Sequence, residues 1–116
     1  MEFESFKSIA LSFPETNMEI HFNKISFRIS KKIFATYDPD TNQTVVKLGI
    51  FQQDEFCEKY PEVLEPVPNK WGKKGWTNFD ITNADNSFVF EIVKAAFLDR
   101  APKSISKNYQ RNTETS

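Results

Sequence analysis

The segment Asn69-Lys70-Trp71-Gly72-Lys73-Lys74-Gly75-Trp76-Thr77 concentrates residue types that bind phosphorylated ligands, and it contains no acid. Lysine ammonium groups neutralise phosphates and release condensed counterions. Tryptophan rings offer flat faces on which bases stack, worth about 1–3 kcal/mol per base. Gly72 and Gly75 would let the backbone come close to a ligand. The same residues also have structural uses, since a Trp at a strand start commonly plugs a core and a turn Lys is commonly just solvated. A second basic set is Lys24, Arg28, Lys31, Lys32 and Lys47, with Asp38 and Asp40 the only acids between them. Convergence of the two sets would make one basic surface for phosphates. Scattered lysines guarding a sheet edge are the structural alternative. Acids gather elsewhere, at Asp54, Glu55, Glu58, Glu62 and Glu65.

Catalytic chemistry finds little support. His21 is the only His and Cys57 the only Cys. His21 lies between Ile20 and Phe22 and is expected as a partly buried, hydrogen-bonded structural residue. Cys57 follows Phe56 on the apolar side of a short helix, without an activating His or basic cluster, so an inert buried thiol is expected. No phosphate-cradling Gly-rich loop exists among three glycines, and no loop has the ligand spacing of a calcium site. The expectation is a binding protein without catalytic residues, metal or cofactor.

The chain's 116 residues suit a single domain with one core. Its 12 Phe place much of the burial in a few large rings. A formal charge of -1, from 15 basic and 16 acidic side chains, excludes a globally basic nucleic-acid coat. A lone cysteine excludes an internal disulfide. No apolar run approaches the roughly 20 residues that span a bilayer, and the acidic start Met1-Glu2-Phe3-Glu4 is unlike a secretory signal. A cytoplasmic protein with no membrane contact is the expectation.

These residues must be carried by elements the pattern makes legible. Phe3, Phe6, Ala10 and Phe13 recur at helical spacing, predicting a helix over 2–12 that Pro14 stops. Ile25, Phe27 and Ile29 alternate with polar residues, predicting a strand with Arg28 on its polar side. Lys31-Lys32 would be the hairpin connection to a strand over 33–37, and a turn at 38–42 leads to a third strand over 44–48. A short helix is predicted over 52–60 and a strand over 76–81, with Thr77, Phe79 and Ile81 on one side. The last helix is predicted over 86–100, capped by Asp85 or Asn86 and ended by Pro102. The polar residues 107–116 lack a hydrophobic period and are expected as a disordered tail after a single domain over 1–106. An α+β fold, two-layered, with helices on one face of an antiparallel sheet, satisfies this order.

Together these pieces resemble the MmcQ/YjbR-like family over roughly residues 2–103. The resemblance rests on Ala10-Leu11-Ser12-Phe13-Pro14-Glu15-Thr16, His21-Phe22-Asn23-Lys24, Ser26-Phe27-Arg28-Ile29 and Lys31-Lys32-Ile33-Phe34-Ala35-Thr36. It continues in Val46-Lys47-Leu48, Pro68-Asn69-Lys70, Gly75-Trp76-Thr77 and Ala96-Phe97 before Ala101-Pro102-Lys103. It implies the order α-β-β-β-α-β-β-α, with residues 65–69 supplying the extra strand. It also implies DNA binding through a double-wing arrangement whose strands and loops present basic residues. Many members carry Asn-Lys-x-His-Trp; here the run is longer and Gly75 precedes Trp76.

The functional expectation is a DNA-binding module. It would contact phosphates through Lys24, Arg28, Lys31, Lys32, Lys47, Asn69, Lys70, Lys73 and Lys74, with Trp71 and Trp76 as aromatic surfaces. The alternative is an adaptor for a protein or small ligand, built on Trp71, the proline-rich run 61–68 and the uncovered sheet face. Either would be a monomer or weak dimer.

Overall fold

The computed structural model describes residues 1–114. Its first element is the helix α1 (Phe3–Ala10), followed by four strands: β1 (Thr16–His21), β2 (Lys24–Ile29), β3 (Lys32–Asp38) and β4 (Gln43–Lys47). Helix α2 (Ile50–Lys59), strand β5 (Leu64–Pro66), a 3-10 turn (Gly72–Lys74) and strand β6 (Trp76–Phe79) come next. Helices α3 (Asn86–Arg100) and α4 (Lys103–Glu114) complete the described chain. The six strands form one open antiparallel sheet in the order β1-β2-β3-β4-β6-β5.

The alternation read in the sequence sets the two faces. Ile25, Phe27 and Ile29 of β2, Val46 of β4 and Thr77 and Phe79 of β6 are buried, whereas Arg28, Val45, Lys47 and Asn78 stay on the open side. A β-bulge in β3 strengthens the core side. Phe27 faces Ala35 but Arg28 faces Ile33, so Phe34 is an extra residue, and Phe34 and Ala35 are both buried. Helix α3 packs its buried Val89, Ile92, Val93, Ala96 and Phe97 into this face. The Asp85 side chain caps α3, accepting from the Phe88 amide at 2.8 Å.

Four features differ from the sequence reading. The first is β1, an extra strand. Four of its six residues are exposed, so its alternation carries little hydrophobic signal. The second is α4, which occupies 103–114 where a tail from 107 is expected; residues 115 and 116 lie outside the described residues. Ile105 and Tyr109 are one helical step apart, and the Tyr109 ring packs 5.8 Å from Phe13 and 5.6 Å from Phe97. Both side chains pack on the core and give this otherwise polar helix an apolar anchor. Pro102 both ends α3 and starts α4, accepting backbone bonds from Ile105 and Ser106. The third is the β2–β3 turn, whose central residues are Ser30-Lys31 rather than Lys31-Lys32. Both have positive φ, 49° and 69°, the backbone hand that suits a two-residue hairpin. The fourth is the β5 strand, which spans 64–66 rather than 65–69 because it pairs only as far as Pro66 opposite Thr77.

His21 and Cys57 also depart from expectation. His21 is exposed at the β1–β2 hairpin, its ring edge-on to Phe22 at 4.5 Å. Cys57 is half-buried, because α2 lies at the sheet margin and turns Gln53 rather than Cys57 fully inward. Desolvation, with the nearby Asp54 and Glu65 charges, raises the Cys57 thiol above its ordinary value. Cys57 is therefore expected to react several-fold more slowly with iodoacetamide at neutral pH than a free cysteine peptide. An equal rate, followed by mass spectrometry, would sink this prediction.

Candidate nucleic-acid interface

Antiparallel pairing brings distant segments to one end of the sheet. Ile29 faces Lys32, Ala35 faces Val46, Lys47 faces Trp76 and Pro66 faces Thr77. The Ser30-Lys31 turn, Lys47, Trp76, the 67–75 loop and the C-terminal end of α3 therefore share that end. Lys24 lies at the opposite end, beside Asp38.

The sheet face does not offer the free basic surface anticipated from sequence. Each of its three cations already has a carboxylate. Lys24 Nζ lies 3.1 Å from Asp38 Oδ2, Arg28 Nε 3.0 Å from Glu19 Oε2 and Lys47 Nζ 2.9 Å from Asp99 Oδ2. The Lys24 bond and the Asp40 amide hold the Asp38 carboxyl below its ordinary value. Glu19 comes from the strand missing in the sequence reading and Asp99 from a helix remote in sequence, so only tertiary structure pairs them. Lys31, Lys32, Lys70, Lys73 and Lys74 form no ion pair among the described residues. All five belong to one end of the sheet.

The loop that carries three of these lysines is shaped by its own backbone. Asn69 Oδ1 accepts from the Trp71 amide at 2.8 Å, so Asn69 orders the turn. The Gly75 amide donates to the Gly72 carbonyl at 3.1 Å, and the Trp76 amide to the Trp71 carbonyl at 3.1 Å. Gly75 has φ 107°, a conformation glycine adopts freely. A Cβ on Gly72 would lie 1.9 Å from the Val67 carbonyl oxygen, and one on Gly75 1.9 Å from that of Leu48. The glycines thus serve close approach between backbone segments of the protein itself.

Gln53 pins the loop to the sheet. This side chain is 4% exposed. Its Nε2 donates to the Gly72 carbonyl at 2.9 Å, the Trp76 carbonyl at 3.2 Å and Thr77 Oγ1 at 3.1 Å. Thr77 Oγ1 in turn donates to the Gly75 carbonyl at 2.9 Å. Sequence reasoning missed Gln53, because a Gln on a short helix resembles a solvated residue. Gln53→Leu removes all three bonds, leaving the Gly72 and Trp76 carbonyls only their backbone donors at Gly75 and Val67, and is expected to cost about 1–3 kcal/mol of unfolding free energy. Urea denaturation checks it, and an unchanged midpoint would show that the pin is dispensable.

The two tryptophans take different positions. Trp71 is 49% exposed, with Lys70 Nζ 5.7 Å and Lys74 Nζ 5.0 Å from its ring centroid. Such cation–π contacts hold the ammonium groups around the ring. Trp76 is half-buried, and the Arg100 guanidinium stands 5.8 Å from its ring. Arg100 Nε also donates to the Ile33 carbonyl at 3.0 Å, which ties the end of α3 to β3. Trp76 is therefore part of the scaffold, and Trp71 is the accessible ring. Lys73 and Ile50 line a shallow groove of about 690 Å³ between α2 and the loop.

Residues 11–98 match the YjbR family model, and the chain belongs to that family. Its fold is also similar to that of a solved structure, the Deinococcus radiodurans protein DR2400, which carries a DUF419 domain. The two share a TM-score of 0.71 and 15% identity, over 90% of this chain and 85% of the other. A comparison with curated proteins gives no match. No helix among the described residues is long and apolar enough to cross a membrane.

Proposed function

We infer that this protein is a nucleic-acid-binding module that grips the phosphate backbone from the end of its sheet. The observation that carries the reading is the contrast in pairing. The face cations are committed to carboxylates, while Lys31, Lys32, Lys70, Lys73 and Lys74 are not. Unpaired lysines gain the counterion-release term without first breaking an ion pair. Trp71 stands among them, so a base on its ring would hold its own phosphates within reach of Lys70 and Lys74. Stacking needs an unpaired base, so single strands are the preferred ligand. Asn69 and Trp76 act in this reading as supports, and no catalytic role is assigned.

Fluorescence anisotropy of labelled single- and double-stranded DNA and RNA, at two salt concentrations, tests the proposal. Binding that is tighter for single strands and falls steeply with salt is expected. Absence of binding at low salt, where the electrostatic contribution is greatest, would overturn it.

A second reading has its own observation. Ile50 and Phe51, at the start of α2, are 47% and 90% exposed beside the same groove. An apolar protein segment docked in the groove would bury Ile50 against Val67 and Pro68. Its binding would persist at salt concentrations that release nucleic acid.

A further inference from the structure

We propose that the outer edge of β1 pairs with β1 of a second copy of this chain, antiparallel and with Ile20 on the two-fold axis. The two edges of the sheet are built differently. β5 is three residues long and ends in Pro66, devices that discourage edge pairing. β1 runs six residues with no Lys, Arg or Pro, and its Ile20 is 65% exposed. At its tip Phe22 is 91% exposed, in a positive-φ conformation (58°) that bulky residues rarely adopt.

Backbone alternation sets which groups are free. His21 faces Lys24 across the two-residue turn and forms the closing hydrogen-bonded pair. Counting back, Glu19 and Asn17 bond to β2, while Ile20 and Met18 direct their N–H and C=O groups to the open edge. An antiparallel partner must therefore pair through Met18 and Ile20. Among the two-fold registers that keep this parity, three hold both Met18 and Ile20 within the overlap, with the axis at Met18, Glu19 or Ile20.

Charge chooses between them. An axis at Glu19 sets two carboxylates directly opposite each other. An axis at Met18 places Ile20 opposite Thr16 and leaves His21 and Phe22 outside the pairing. An axis at Ile20 sets Ile20 against Ile20 and Glu19 against His21, twice by symmetry, and brings the Phe22 turn of each copy alongside Met18 of the other. In that register an imidazole N–H can donate to the carboxylate of the other copy. Arg28 already lies 3.0 Å from Glu19, which would then stand between two donors. The exposed aliphatic and aromatic side chains are covered in the same step.

Sedimentation equilibrium from micromolar to near-millimolar protein tests the proposal. The mass is expected to rise towards twice that of the monomer. Ile20→Lys is expected to abolish the rise by placing two ammonium groups at the axis. Glu19→Lys and His21→Glu should each weaken association at least tenfold, and the double variant should restore it. Circular dichroism follows folding, since Glu19→Lys also faces Arg28. Amide hydrogen exchange of the unaltered protein supplies a variant-free measure, with the Ile20 amide gaining protection as concentration rises. A mass that stays monomeric, or a dimer that survives Ile20→Lys, overturns the proposal. Association unaffected by the single charge changes, or not restored in the double variant, overturns the register.

Discussion

Phe97→Ala is expected to lower the unfolding free energy by about 3–5 kcal/mol, the usual cost of emptying a buried aromatic site. Phe97 is fully buried and joins three parts of the fold. Its ring lies 5.0 Å from Phe13 after α1, 6.2 Å from Phe34 in the β3 bulge and 5.6 Å from Tyr109 on α4. Removing it leaves a cavity between Phe13, Phe34 and Tyr109 and forfeits all three ring contacts. A domain of this size is stable by roughly 5–15 kcal/mol, so the loss is a large fraction of the total. Urea denaturation measures it, and helix α4 should detach first, since Tyr109 loses a partner. Phe51→Ala is the matched control. Phe51 is 90% exposed, and its removal should change stability by no more than about 0.5 kcal/mol. Equal effects of the two substitutions would contradict this account of the core.

The joint change of Lys70, Lys73 and Lys74 to alanine is expected to weaken single-stranded nucleic-acid binding on the order of a hundredfold at physiological salt. The logarithmic salt slope should fall in magnitude by about 2, roughly 0.7 for each single-strand phosphate that is no longer neutralised. Folding should be unaffected, because none of the three lysines forms an ion pair among the described residues. Trp71→Ala should remove the stacking share, about 1–3 kcal/mol, without altering the slope. By contrast, Lys24→Ala should leave affinity unchanged, since Lys24 is spent on Asp38 at the far end of the sheet. A triple variant that binds as well as the unaltered protein would remove the sheet end from the interface.

The class of fold, most of its elements and the family are legible in the order of the amino acids. Helix α3 is legible because fifteen residues carry a sustained apolar face and Asp85 supplies a cap. Strands β2, β4 and β6 are legible because one of their faces is buried, and burial writes the alternation. Where burial is weak the signal fades. β1 is largely exposed, and α4 is held mainly by Ile105 and Tyr109, so neither stands out from polar surroundings. The Lys/Trp loop is visible as composition. Its backbone conformation is not, since it depends on Gln53 and on the carbonyls of Val67 and Leu48. Which cations are free is settled only on folding. A side chain's charge is local, but its partner is chosen by the fold: Glu19 reaches Arg28 across a strand pair, and Asp99 reaches Lys47 from 52 residues away. No spacing along the chain encodes those distances, so five lysines at one end of the sheet remain available while those on its face do not.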